Sequence, residues 1–352
     1  MLNIIVGVGV ILIVAILFLI FRIQTLVGVA KGSEKKRITG ANSTNAILFI
    51  VFMVLSLGGF FWYSFAYFDD YTLPVASAHG DDYEFMFWLT TAVTGVVFLL
   101  TQILLFWFSH RYQFKEKRKA LFYPDNSKLE ILWTVVPAIV LAVLVFTGWK
   151  TWTEITDKAP EEAEIVEIMG YQFAWKVRYP GKDGSLGQYD YRLIDPVNEF
   201  GIDFTDQASH DDFIPMEIHL PVNKPVLFKI RAKDVLHSVF GPHFRMKMDA
   251  MPGMPTSFWF TPTKTTQEMR QETGDAEFNY EIACTEVCGR GHFSMKIRVV
   301  VEELDEYQQW YAEQQSFLSN NPEYLAKIPA EKRELAMVKA GIEETESTEI
   351  QQ

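Results

Sequence analysis

Residues 284 to 295, Cys284-Thr285-Glu286-Val287-Cys288-Gly289-Arg290-Gly291-His292-Phe293-Ser294-Met295, bring two thiols, an imidazole and a thioether into one short segment. Soft sulfur and borderline imidazole ligands suit copper, and a thioether is a poor zinc ligand. Two thiolates four residues apart on a tight loop can both bridge a pair of copper ions, giving a core in which one unpaired electron is shared. Sharing keeps bond lengths nearly constant on redox, and a closed coordination sphere leaves no place for substrate. The chemistry indicated is electron carriage. Each copper needs a terminal ligand and the loop supplies one imidazole, so a second must come from elsewhere. His237, in Asp234-Val235-Leu236-His237-Ser238-Val239 at the end of a strand-like stretch, is the best candidate. Three other readings of the same residue types stay open. Cys284 and Cys288 can form a disulfide, the ordinary habit of paired cysteines outside the cytoplasm. Cys2His2 can hold structural zinc. A mononuclear blue-copper site is also conceivable, although it wants a single Cys.

The elements that must position these residues divide the chain in two. Residues 1 to 152 carry a formal charge of +3 (12 Lys and Arg against 9 Asp and Glu), and residues 153 to 352 carry −15 (20 against 35). Four stretches, 2–21, 45–68, 83–108 and 129–152, are apolar enough to cross a bilayer, which takes about 20 helical residues. The loop 22–44 holds Arg22, Lys31, Lys35, Lys36 and Arg37, and the loop 109–128 holds Arg111, Lys115, Lys117, Arg118, Lys119 and Lys128. Both are expected on the cytoplasmic side. Asp69, Asp70, Asp81, Asp82 and Glu84 lie between spans two and three with no base, so that loop, the N-terminus and the C-terminal domain are expected outside. No Lys or Arg precedes the first apolar run, so it reads as a span rather than a cleaved leader. Ala76-Ser77-Ala78 has the small-x-small form of a processing site.

After a linker at 153–162, marked by Pro160, Glu161 and Glu162, short runs rich in β-branched and aromatic residues recur at Glu164 to Tyr179, Tyr189 to Ile194, Pro215 to Leu220, Val226 to Arg231, Thr256 to Phe260, Phe278 to Ile282 and Met295 to Val301. Turn residues separate them at Pro180 to Gly184 and at Pro252-Gly253, which together predict an all-β sandwich or barrel over 163–301. From 302 to 352 the chain carries 12 acids and 4 bases and reads as a docking helix followed by a frayed acidic tail. Met246, Met248, Met251 and Met254 read as core filling. His243 reads as a loop residue, and His79, His110, His210 and His219 show no ligand spacing.

The pattern C-x-E-x-C-G-x-x-H-x-x-M downstream of Asp234-Val235-Leu236-His237-Ser238 resembles subunit II of cytochrome c oxidases. Leu129 to Pro137 (LEILWTVVP), Gly170-Tyr171-Gln172-Phe173-Ala174-Trp175, Ile218 to Val226 and Asp249-Ala250-Met251-Pro252-Gly253 extend the likeness over 129–301, leaving residues 1 to about 82 and the chain after 302 outside it. The resemblance implies a cupredoxin-like Greek-key domain and a dinuclear copper (CuA) centre. His237 and Met295 would serve one copper, His292 and the Glu286 carbonyl the other, and Cys284 and Cys288 would bridge both. It implies a magnesium ion shared with the large subunit near the Glu286 side chain, and a proton-uptake role for Glu130 at the cytoplasmic edge. Glu130 also reads as the last residue of a capping box begun by Ser127. Implied partners are a large haem-containing subunit, a separate c-type cytochrome donor (the chain has no C-x-x-C-H), further oxidase subunits or a respiratory supercomplex, and membrane lipid, with no nucleic acid. The setting would be a bacterial cytoplasmic membrane.

Two features depart from that pattern. Phe173 stands where many members carry the exposed tryptophan that receives the electron, while Trp175 remains, and a phenyl ring offers no indole N–H. Four spans are counted where two are common. A nitrous oxide reductase would need a propeller domain, and a quinol oxidase subunit usually lacks the copper ligands. A membrane-anchored copper delivery module is the rival from another class, and two bridging thiolates in a closed set favour electron transfer over it.

Overall fold

The computed structural model describes residues 2–31, 40–115 and 117–342. Lys35, Lys36 and Arg37 of the first basic loop and the acidic tail from 343 lie outside the described residues. The chain falls into two compact units, Met1–Tyr71 with Thr90–Ala138, and Thr72–Leu89 with Ile139–Gln352.

Long helices dominate the first unit: α1 (Leu2–Ala30), α2 (Gly40–Ala66), the one-turn α3 (Phe68–Tyr71), and the parts of α4 (Ala78–Arg111) and α5 (Ser127–Thr156) that fall within it. Four of these helices are long and apolar enough to cross a membrane, and they run past the hydrophobic stretches read from sequence because a helix need not stop where the bilayer does. Phe49 and Phe52 of α2 pack on Phe106 of α4, and Phe60 packs on Phe98. The His110 ring bonds the Ala46 carbonyl at 2.9 Å. Apolar side chains on the remaining faces are exposed, as a lipid-facing surface requires.

The second unit is a β-sandwich. One sheet orders β2 (Ala174–Arg178), β1 (Glu164–Tyr171), β4 (Val226–Ala232) and β7 (Thr256–Phe260). The other orders β3 (Ile218–Pro221), β9 (Lys296–Glu302), β8 (Tyr280–Cys284), β5 (His237–Gly241) and β6 (Met246–Ala250). β1 with β4 and β3 with β9 are parallel, and every other pairing is antiparallel. Alternate residues of the facing strands, among them Val166, Ile168, Phe228, Ile230, Phe260, Ile282 and Val299, are buried and form the core between the sheets.

Several local expectations change. Glu164 to Tyr179 is two strands folded at Gln172-Phe173 rather than one run. Tyr189 to Ile194 is not a strand. Asp190 accepts from the Arg192 amide and caps a 3-10 turn over Tyr191–Leu193, so side-chain turn chemistry overrides the alternating pattern. Strands β5 and β6 were not anticipated, nor was α6 (Thr266–Thr273), whose capping box joins Thr265 and Glu268. Met246 is buried and Met248 packs against the core, but Met254 is exposed beside the Pro252-Gly253 turn. Ala76 and Ser77, read as a processing-like triplet with Ala78, are fully buried, and the segment is stitched to the sandwich. The Ala76 amide donates to His243, the Ser77 hydroxyl to Phe244 and the Ala78 amide to Thr261, all to backbone carbonyls.

Beyond β9, the single docking helix expected becomes α7 (Leu304–Ala312), α8 (Phe317–Asn320) and α9 (Arg333–Ala340). Trp310 of α7 stacks on His219 with ring centroids 4.1 Å apart. Phe317, Leu318, Tyr324 and Ile328 form a second apolar cluster with Phe200, Ile202 and Phe204 of the β2–β3 connection. Beneath it, Glu167 is buried between Arg178 at 2.5 Å and Arg231 at 2.6 Å, and Arg178 also meets Asp212 at 3.0 Å.

Candidate metal centre

Strands β8 and β9 are neighbours in the sheet; Cys284 ends β8 and Cys288 lies in the loop that joins the two strands. Its base is closed by the Cys284 amide donating to the Met295 carbonyl at 3.0 Å. β5 lies on the other side of β8, with Val239 opposite Cys284, so His237 at the start of β5 reaches the loop from the adjacent strand. A second tie, Thr285 N–H to the Ser238 carbonyl, fixes that register at the rim.

The donors converge. His237 Nδ1 lies 3.8 Å from Cys284 Sγ, and the Glu286 carbonyl oxygen lies 3.2 Å from the same sulfur. Cys288 Sγ lies 3.7 Å from His292 Nδ1 and 3.8 Å from Met295 Sδ. The two cysteine sulfurs are 4.0 Å apart and both thiols are free, about twice the length of a disulfide bond. The disulfide reading is therefore excluded. His237, Cys284 and Cys288 each offer a ligand atom within 4.8 Å of the others, and all three are buried. Burial first, and the neighbouring Cys284 second, push the Cys288 thiol up to about 11. The metal-free Cys288 thiol therefore holds its proton, and a metal must displace it to bind. Three sulfurs and two imidazoles turned toward one another, with the buried Met295 thioether among them, fit copper and not a structural zinc ion.

Residues outside the donor set hold it in place. Asp234 receives His237 Nε2 at 2.9 Å, which leaves Nδ1 for the metal. Its other oxygen accepts from the Gln172 amide at 2.7 Å, and the Gln172 side chain donates to the Cys288 carbonyl at 2.5 Å. Burial alone would raise the Asp234 carboxyl, but the bond from His237, with those from the Gln172 and Val235 amides, holds it below its ordinary value. Trp175 is buried and sets its ring edge-on to His237 at 5.9 Å. Gly170 leaves room for both, since a Cβ there would come 2.8 Å from Trp175 and 2.9 Å from His237. Phe173 lies against Gly289 and Gly291. A Cβ at either glycine would sit within 2.7 Å of its ring or Cβ, and Gly289 also has φ +137°. Phe173 is 38% exposed, so of the two aromatic candidates only this one reaches the surface beside the loop.

Asp234, Gln172, Gly289 and Gly291 escaped the reading from sequence. Asp234 was findable, because a ligating histidine needs an acceptor for its other nitrogen and this carboxylate stands three residues away. Glu130 belongs to the other unit. There the cap of α5 is Asn126 and not Ser127: Asn126 Oδ1 accepts from the Leu129 amide, and Glu130 Oε1 faces the Asn126 amide at 3.4 Å.

A cupredoxin-like sandwich carrying a copper-suited cluster at one end, on a chain with four bilayer-length apolar helices among the described residues, defines a membrane-anchored copper protein. The family model described as cytochrome c oxidase subunit II, periplasmic domain, matches residues 165–303, and that of the transmembrane domain matches 62–151. An alternative cytochrome c oxidase subunit 2 of Bradyrhizobium diazoefficiens is 34% identical over 273 residues, covering 76% of this chain and 92% of that one. Cytochrome c oxidase subunit 2 of Cereibacter sphaeroides is 27% identical over 250 residues, covering 67% and 77%. Among solved structures, the periplasmic domain of subunit II of cytochrome oxidase from Bradyrhizobium japonicum aligns at 23% identity with a TM-score of 0.31, covering 44% of this chain and 95% of that one. The chain belongs to the cytochrome c oxidase subunit II family, the electron-transfer subunits of haem-copper oxidases. The family match begins at residue 62, nearer the N-terminus than the likeness read from sequence, and α1 with most of α2 precedes it.

Proposed function

We propose that the chain holds a dinuclear copper centre, accepts electrons from a soluble c-type cytochrome, and delivers them to the haem of a large oxidase subunit. The convergence of two unbonded thiols with His237, His292, Met295 and the Glu286 carbonyl carries this reading. His237 and Met295 would serve one ion, His292 and the Glu286 carbonyl the other, with Cys284 and Cys288 shared. Bound there, a copper pair would take up or give up one electron shared over both ions, a change that moves ligand bonds little.

The chain supplies the rest. Asp234 fixes the His237 tautomer, Trp175 and the sandwich core keep water from the buried side, and Gln172 holds the carbonyl of a bridging residue. Phe173 lies on the loop and presents its ring to solvent as the point of electron acceptance. The domain spans 163–301, and the acidic balance of the outer half attracts a basic donor. The domain and the N-terminus face the periplasmic side of a bacterial inner membrane. The exposed Glu286 side chain completes a magnesium site shared with the large subunit, and Glu286→Gln is expected to lower the magnesium content of the assembled oxidase. Glu130, exposed at the start of α5, takes up protons, and an unchanged turnover in Glu130→Gln would remove that role.

Rapid-mixing reduction of the copper-loaded protein by a reduced cytochrome c tests the main claim. The second-order rate should fall steeply with ionic strength, and Phe173→Ala should slow it roughly tenfold, the scale of an interface aromatic lost. A salt-independent rate unaffected by Phe173→Ala contradicts the docking assignment.

A further inference from the structure

The connection between α4 and α5 has a composition that neither electron transfer nor proton uptake uses. Lys115, Lys117, Arg118 and Lys119 are followed, after Ala120, by Leu121-Phe122-Tyr123-Pro124, and Lys128 stands in the first turn of α5. Leu121 and Phe122 are 94% and 92% exposed, and Tyr123 also stands free of the core. The bases are exposed as well. Among the described residues, Lys115, Lys117, Lys119 and Lys128 have no carboxylate partner. A loop that only had to join two spans through water would gain nothing from three consecutive large apolar side chains at its tip.

The loop is folded back on the helix ends instead of extending away from them. Arg118 Nη1 donates to the Arg111 carbonyl at the end of α4, and the Arg118 amide donates to the Lys115 carbonyl. Asn42 Nδ2 at the start of α2 donates to the Phe114 carbonyl at 3.1 Å, and Asn126 caps the start of α5. Three bilayer-length helices thus end or begin around this segment, which sets it at the level of the headgroups. The positive-inside distribution assigns it to the leaflet that carries the anionic lipid.

We propose that Lys115 and residues 117–128 form a lipid-binding wedge. Leu121, Phe122 and Tyr123 enter the acyl and headgroup boundary, and Lys115, Lys117, Arg118, Lys119 and Lys128 hold the phosphates of anionic phospholipids around it. An aromatic and aliphatic tip framed by bases is the composition of an interfacial membrane contact. Each base near such a surface strengthens attachment about fivefold. The wedge adjoins Asn126 and Glu130, so it also fixes the lipid composition at the foot of α5. The inference stands apart from the copper assignment and needs only that α4 and α5 cross the membrane.

The test is chymotrypsin cleavage after Leu121 and Phe122 in the full chain held in lipid nanodiscs, the Tyr123–Pro124 bond being resistant to the protease. Cleavage should be slow in phosphatidylcholine containing about a third phosphatidylglycerol, and at least about fivefold faster in phosphatidylcholine alone. Salt at about 0.5 M, where the screening length is only ~4 Å, should restore fast cleavage in the anionic discs. The double replacement Lys117→Gln, Lys119→Gln should cleave fast in both. Equal rates in the two lipid compositions would overturn the proposal. So would protection that develops only in the assembled oxidase, whatever the lipid, because that would make the large subunit the partner of the wedge.

Discussion

His237 and His292 offer the same nitrogen, Nδ1, each to one of the two cysteine sulfurs, yet the chain treats them differently. His237 opens a strand, is fully buried, has Asp234 on its far nitrogen and meets Trp175 edge-on. His292 sits on a one-turn 3-10 segment, is half-buried, and among the described residues its ring meets Cys288 with no carboxylate on the far nitrogen. One ligand is part of the folded core before any metal arrives. In the proposed centre the other, on the rim, would close the site over the metal from the surface side. A site assembled from one rigid and one adaptable arm can be loaded from the surface without unfolding the sandwich.

Truncation of the two histidines is the strongest way to break this contrast. In the metal-free chain, His237→Ala should cost about 2 to 5 kcal/mol, as buried large-to-small changes do, and His292→Ala no more than about 0.5 kcal/mol. Thermal unfolding of both variants measures the difference, and equal losses would mean that the core does not hold the His237 arm as described. Asp234→Asn sharpens the same contrast at smaller cost. The chain should remain folded while copper affinity falls about 10- to 100-fold, the scale of a lost outer partner to a ligating histidine. Competition with a chelator of known affinity reads the change, and an unaltered affinity would make Asp234 a turn residue only.

The smallest effect lies away from the metal and checks that the sandwich responds as one body. Burial raises the Asp212 carboxyl to about 7, in spite of Arg178 beside it. One of its oxygens, Oδ1, has no hydrogen-bond partner, as a neutral acid can tolerate better than a carboxylate. The folded chain therefore keeps a proton that the unfolded chain releases near 3.8, and this group's contribution to stability declines as pH rises from about 4 to about 7. Asp212→Asn should flatten that part of the stability profile for the metal-free protein. A profile identical to the parent's would mean that the carboxyl is ionised throughout.

How much of this was legible in the sequence depends on how locally each feature is encoded. The loop from Cys284 to Met295 was readable because its donors are adjacent in the chain and their chemistry is selective. The membrane helices were readable because about 20 apolar residues in succession have few other uses. Strands β5 and β6 were not. His237-Ser238-Val239-Phe240-Gly241 and Met246-Lys247-Met248-Asp249-Ala250 lack clean alternation, and their pairing with each other and with β8 makes them strands. Tyr189 to Ile194 failed in the opposite direction, since its pattern was right and the Asp190 side chain offered the backbone a better local partner. The C-terminal helices looked unpatterned because their apolar residues, Phe317, Leu318, Tyr324 and Ile328, face a cluster supplied by a distant connection. Capping at Asn126 in place of Ser127 shows that a capping motif locates a helix start only to within a residue or so.

The central claim is that Cys284 and Cys288 together hold a pair of copper ions. Electron paramagnetic resonance of the copper-loaded protein, with copper quantified on the same sample, tests it most directly. The account predicts a copper pair in each chain and a seven-line hyperfine pattern, the signature of one electron spread equally over two copper nuclei. A four-line pattern with a single copper, or zinc in its place, would contradict it.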